Sequence, residues 1–227
     1  MSNWAVFLTS ERPSSKALNR AFVLIQDFEY SEYPADSRWI LLTSKELPAD
    51  EFEATALPLS EILSSDFAGM SLAEINTFVR AHSNALSEGP DLSASNWLVI
   101  DQKGLETSTC LVCEQYYNSG EEEDGDEEEE EGMTDKFRAC RIPYEEAHAM
   151  IANLEIANMG FEDFVDEEAG EQEDGSWKWV SFNPETEETE KGPTEAEVKR
   201  EKPLVAHLRS LLAAYMASDS DLLLLLI

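Results

Sequence analysis

Trp97-Leu98-Val99-Ile100-Asp101 is a short apolar run that ends in a carboxylate, and two further runs follow it closely. Thr109-Cys110-Leu111-Val112-Cys113 is rich in strand formers, and Gln102-Lys103-Gly104 supplies turn chemistry between the two. Lys136-Phe137-Arg138-Ala139-Cys140-Arg141-Ile142 alternates apolar with polar, as a strand with one solvated face does. Three strands in close succession read as the middle of a sheet, so the stretch from Asn96 to Ile142 decides the fold.

Toward the amino terminus, Trp4-Ala5-Val6-Phe7-Leu8 and Arg38-Trp39-Ile40-Leu41-Leu42 read as buried strands. Between them Ser14 or Ser15 caps a helix reaching about Asp27, with Leu18, Phe22 and Ile25 along one face. Its apolar second half, Ala21 to Ile25, fits either a helix packed between layers or a strand. Ala54 to Leu59 suits a short extended piece, and Ser60 to Phe67 one or two helical turns. Ser71-Leu72-Ala73-Glu74 is a capping box. It opens a helix ending near Ser83-Asn84, and Ser87 to Ser95 is a loop. Past Ile142, Pro143 stands at a helix start where its missing amide costs nothing, and that helix runs from Tyr144 to about Asn153. A bend and a short amphipathic helix follow between Leu154 and Phe164, and Trp177 to Phe182 alternates as a last strand.

Alternating strands and helices with a hairpin-like middle predict an α/β fold, a mixed central sheet flanked by helices. The expected organisation is one α/β domain over residues 1–183 with an acidic insert at 119–133, then an acidic linker at 184–202. A C-terminal helix and apolar tail occupy 203–227.

The charge is unevenly spread. The chain has 227 residues, with 48 Asp and Glu against 16 Lys and Arg, a net −32. Half of the acids fall in three segments: ten in Gly120 to Gly132, eight in Glu162 to Asp174 and six in Glu185 to Glu197. The rest holds 24 acids and 15 bases, a net −9 that is ordinary for a globular body. The strong charge is expected in flexible loops laid over a conventional fold. Such a surface repels nucleic-acid phosphates and favours a basic protein partner. Glu121, Glu122, Glu123, Asp124, Asp126, Glu127, Glu128, Glu129, Glu130 and Glu131 are the residues expected to meet that partner.

Three cysteines give no even-numbered disulfide framework, and no apolar run approaches the roughly 20 residues that span a bilayer. The first residues lack a basic region followed by an apolar core and a small-residue cleavage site, so no leader is expected. An intracellular protein without a membrane segment is the expectation. Cys110 and Cys113 form a C-x-x-C, which suggests a zinc knuckle or a dithiol pair. On a strand, however, positions three apart point to opposite faces, so two buried structural thiols are favoured. His82, His148 and His207 have no spacing that builds a site, and His148 reads as an ordinary helix-surface partner of Glu145. No nucleophile elbow, phosphate loop or metalloprotease motif is present, so neither cofactor nor metal is implied.

Asp101 ends a central strand at the edge where open α/β sheets bind ligands. Asn153 and Asn158 flank the bend near that sheet, and their amides are candidates to orient a ligand beside Asp101. The competing reading makes both asparagines helix-boundary residues and Asp101 a turn former.

Asn153-Leu154-Glu155-Ile156-Ala157-Asn158-Met159-Gly160-Phe161-Glu162-Asp163-Phe164 resembles the N-L-x-I-A-N-M-x-F-x-x-F signature of an uncharacterised family of domain-of-unknown-function proteins. The preceding strand, Phe137 to Pro143, fits that family's F-R-x-x-x-x-P. Trp97 to Asp101 followed by Thr109 to Val112 resembles its earlier strand pair. The resemblance covers roughly Trp4 to Phe182 and implies a compact α/β domain without implying any chemistry. The chain departs from the pattern in its acidic insert, at Gly160 and in the extension after Phe182.

Overall fold

The computed structural model describes residues 3–26, 37–47, 54–59, 64–88, 91–118 and 132–180. Residues 119–131 of the acidic insert, the 184–202 linker, the C-terminal helix and the apolar tail lie outside them, as do residues 60–63 of the expected helical turns.

The two most apolar runs become the two innermost parallel strands. β1 is Trp4–Leu8 and β3 is Asn96–Ile100, and every residue in both is buried. Because side chains alternate across a strand, each run feeds two cores. Trp4, Val6, Leu8, Leu98 and Ile100 enter one, while Ala5, Phe7, Trp97 and Val99 enter the other. A strand covered on both faces has no polar register to keep, hence the continuous apolar sequence.

β2 (Trp39–Leu42) pairs parallel with β1 on the side away from β3. β4 (Thr109–Asn118) and β5 (Gly132–Pro143) add antiparallel, and a two-residue β6 (Trp177–Lys178) closes the far edge parallel to β5. The order is β2-β1-β3-β4-β5-β6, a mixed six-stranded sheet. The alternation expected of Lys136 to Ile142 gives no cleanly solvated face. Ala139 and Cys140 are both buried, on opposite faces, and the two arginines are partly covered by carboxylate partners.

The helices divide between the faces. α1 (Ser15–Leu24) is capped by the Ser14 hydroxyl, 3.4 Å from the Ala17 amide, and sends Leu18, Ala21 and Phe22 into the first core. Ala21 to Leu24 is helical, which settles the helix-or-strand choice. α5 (Tyr144–Glu155) packs on the same face through Tyr144, Ala147, Met150, Ile151 and Leu154. On the other face lie α2 (Leu72–Ala81) and α3 (Ser83–Glu88), with Ile75, Phe78, Val79 and Leu86 in the second core. The Ser71 capping box is present, with the Ser71 N–H donating to Glu74 Oε2 at 2.8 Å and the Glu74 N–H donating to Ser71 Oγ at 3.3 Å.

Several local expectations are corrected. Gln102-Lys103-Gly104 opens a short helix, α4 (Gln102–Thr107), because Asp101 caps it. Ala54 to Leu59 forms no strand. It lies along β2 instead, the Thr55 N–H donating to the Trp39 carbonyl at 2.9 Å. Residues 83–88, expected as a helix end and loop, form α3. The bend after α5 turns on Ala157 (φ 50°), and the piece beyond it is a single 3₁₀ turn, Phe161–Phe164, whose two phenylalanines are buried. His148 is no simple surface partner of Glu145: its ring meets those of Trp4 and Trp39 edge-on, 5.3 and 6.1 Å between centroids.

The second acidic segment, Glu162 to Asp174, is likewise part of the fold and not a loop laid over it. Phe164 and Val165 within it are core residues. Its carboxylates are tied down as well, Glu162 to Arg138 at 2.6 Å and Asp166 to Lys178 at 3.3 Å.

Candidate functional site

Strand order reverses at β1. The chain leaves β1 through α1 on one face to reach β2, then returns through α2 and α3 on the other face to reach β3. Helices on opposite faces diverge at such a point and leave a crevice beyond the carboxyl ends of the two strands. Here those ends are held together by the Thr9 N–H donating to the Ile100 carbonyl at 3.0 Å and by Ser10 Oγ donating to Gln102 Oε1 at 2.7 Å.

A crevice of about 510 Å³ opens on the α2 side of this edge. Phe137 of the sheet provides apolar surface above the buried Val99 and Leu111, and Met70 to Ala73 at the start of α2 form one wall. Glu171 to Gly175, together with Trp177, form the other. Thr9, Asp101 and Arg141 also line it. A second concavity of about 600 Å³ lies along α2 and α3, lined by Thr77, Arg80, Ala81, Ser83, Asn84 and Ser87. Arg80 is the one charged side chain in that lining, so the concavity offers little for chemistry.

Asp101 stands at the mouth of the first crevice, already engaged. Its Oδ1 accepts the Gly104 N–H at 2.7 Å, which caps α4. The Arg141 guanidinium approaches in a fork, one nitrogen 3.1 Å from Oδ1 and the other 2.6 Å from Oδ2. Arg141 also lies 3.4 Å from Asp174, and its side chain is only 12% exposed. Burial disfavours its charged form, yet the bonds to Asp101 and the Asp174 charge reverse that and hold its pKa above the usual value. Asp174 accepts from Lys103 Nζ at 2.8 Å and from the Ser176 hydroxyl and N–H at 2.5 and 3.2 Å. Partial burial pushes its carboxyl up, but these hydrogen bonds and Arg141 win and hold it well below the ordinary range. The network fastens α4, β5 and the Glu171–Gly175 wall to one another.

Asn153 and Asn158 are elsewhere. α5 begins beside Asp101, with the Tyr144 hydroxyl donating to the Gly104 carbonyl at 2.9 Å. Asn153 follows nine residues later, roughly 13 Å along the axis at 1.5 Å per residue. Its side-chain amide donates to the Ala149 carbonyl at 2.7 Å, and Asn158 Nδ2 donates to Asn153 Oδ1 at 2.7 Å. Together they close the bend around Ala157. The structure therefore does not bring Asp101, Asn153 and Asn158 together.

The ten carboxylates from Glu121 to Glu131 lie outside the described residues, but their attachment does not. Asn118 pairs with Gly132, so the chain leaves β4 and enters β5 side by side at one end of a long hairpin. β4 runs against β3, which puts this end opposite Asp101. Two buried amides fasten the hairpin near its bulge. Gln115 Nε2 donates to the Thr134 and Lys136 carbonyls at 2.7 and 2.8 Å, and Asn76 Nδ2 donates to the Asp135 carbonyl at 3.0 Å.

The three thiols are free and buried, with Cys110 and Cys140 in one core and Cys113 in the other. Burial pushes all of them up, Cys140 to about 12, so none supplies a thiolate at neutral pH. Among the described residues no three His, Cys, Asp or Glu side chains gather as a metal site. Nor is any described helix long and apolar enough to cross a membrane.

Sequence reasoning missed Arg141, Phe137 and the Glu171–Trp177 wall as parts of this crevice. Arg141 carried a signal, a charge flanked by the apolar Cys140 and Ile142 near the end of β5. The wall carried none, since it reaches the crevice only through tertiary packing.

A model of the family described as Domain of unknown function (DUF6924) matches residues 30–178. No curated protein and no solved structure matches the chain.

Proposed function

The chain belongs to the DUF6924 family of domains of unknown function, and we propose that it acts as a non-enzymatic intracellular interaction module for a basic protein partner. The observation that carries this reading is the attachment of the acidic run. Ten carboxylates connect two strands whose ends pair at Asn118 and Gly132, and the hairpin beneath is locked by Gln115 and Asn76. The run therefore starts and ends at the same end of the hairpin. Concentrated charge of one sign raises association rates with an opposite partner and loses that advantage as salt screens it.

The body supports the same reading from the other side. Arg138 is held by Glu114 at 2.7 Å and Glu162 at 2.6 Å, and Arg141 and Lys103 are held by Asp101 and Asp174. These cations are thus committed to carboxylates of the described body.

The test is a pull-down from cell extract at low and at physiological salt, comparing the chain with a version in which Gly120 to Gly132 is replaced by a short neutral turn. The expected result is a set of basic proteins retained by the first, lost from the second and released by salt. Identical retained sets would overturn the proposal.

A further inference from the structure

We infer that the crevice beyond the carboxyl ends of β1 and β3 receives a lysine- or arginine-bearing extended segment of the basic partner, an inference that rests on the interaction-module reading above. Its volume of about 510 Å³ is within the ordinary range for ligand clefts, roughly 300–1,000 Å³. Phe137, Met70, Leu72 and Trp177 give it apolar surface over the buried Val99 and Leu111. Long cationic side chains lay their methylene stems on such surface while the charged head stays at a polar edge.

The edge has the right sign. Asp101 and Asp174 are already neutralised by Arg141 and Lys103. Glu171 and Glu173 have no ion-pair partner among the described residues, so two carboxylates stand uncompensated beside the apolar surface. Arg138, the other cation in the lining, is occupied by Glu114 and Glu162. The start of α2 borders the crevice too, but Ser71 and Glu74 cap it, and it adds no site for an anion. An anionic ligand would meet repulsion here, and a purely apolar one would leave the rim unused. A cationic amphipathic segment matches both parts.

The strand ends that bear the acidic run and the Asp101–Arg141 end of the crevice lie at opposite ends of the sheet, which makes their contributions separable. The experiment titrates the isotope-labelled chain with a blocked hexapeptide alternating lysine and leucine, and with its glutamate–leucine counterpart. Amide shifts at Leu111, Phe137 and Gly175 are expected with the first peptide only. Neutralising the rim with Glu171→Gln and Glu173→Gln together should weaken binding about five-fold, whether or not Gly120 to Gly132 is present. The inference is overturned if the shifts stay at Asn118 and Gly132, if the double variant binds as before, or if the acidic peptide binds equally well. Loss of pull-down partners on removing the acidic run reports on the module reading by itself. A rim effect without a run effect would keep the crevice and discard the run.

Discussion

Asp174 is a carboxylate that four donors hold in place, and its chemistry shows at low pH. In the unfolded chain an aspartate has a pKa of about 3.9. In the fold, burial opposes the charged form, but Lys103, Ser176 and Arg141 more than compensate, and the folded pKa is depressed. A depressed folded pKa contributes stability that is complete above the unfolded value and is lost as pH falls toward the folded one. Glu162 moves in the same direction, chiefly through its bond from Arg138. An Asp174→Asn variant should therefore melt below the parent at neutral pH, with the gap narrowing as pH falls from about 4.5 to about 2.5. Melting curves across that window check the sign. A gap that holds constant through it would mean the side chain acts by shape and not by charge. The same contacts explain why Asp101, conspicuous in sequence at a strand end, serves as a cap and as the partner of Arg141.

α4 is the element the sequence concealed. Six residues with Gly104 among them carry no apolar period, so Gln102-Lys103-Gly104 reads as a turn. What makes the helix is Asp101 as its cap, together with Gly104 permitting a close approach that side-chain patterns do not register. A Cβ on Gly104 would strike the Thr109 carbonyl and crowd Asp101 Oδ1. Gly104→Ala should consequently lower stability by about 2 kcal/mol even though alanine favours helices, because the obstacle is backbone. Urea denaturation measures this, and a variant as stable as the parent would show that the helix shifts freely against β4. Elements with a strong local signature were legible: the buried runs of β1 and β3, the Ser71 capping box, and the Pro143 start of α5. The exact length of β6 was not. Trp179, past its end, bridges Val165 instead of extending the sheet, a choice made by tertiary packing.

For the whole molecule, the sequence announced the mixed sheet and the charge imbalance but not how the acidic segments divide. Composition treats Glu162 to Asp174 and Gly120 to Gly132 alike. The first is distinguished by Phe164, Val165 and four fixed cation partners, contacts that join positions as far apart as Lys103 and Asp174. The crevice was illegible for the same reason, being assembled from six separate parts of the chain. Salt sets two effects against each other here. Screening weakens the ion pairs of Arg138, Arg141, Lys103 and Lys178, which favours unfolding. It also weakens repulsion among 48 acids that outnumber 16 bases, which favours the compact state. Arg141 is the least exposed of these cations and the least screened, while the acids of the chain outnumber its bases three to one. Repulsion is therefore the larger casualty, and the melting temperature should rise by several degrees as sodium chloride goes from about 10 mM, where the screening length is roughly 30 Å, to about 0.3 M. A melting temperature that falls over this range would place the ion-pair network, and not the acidic excess, in control of stability.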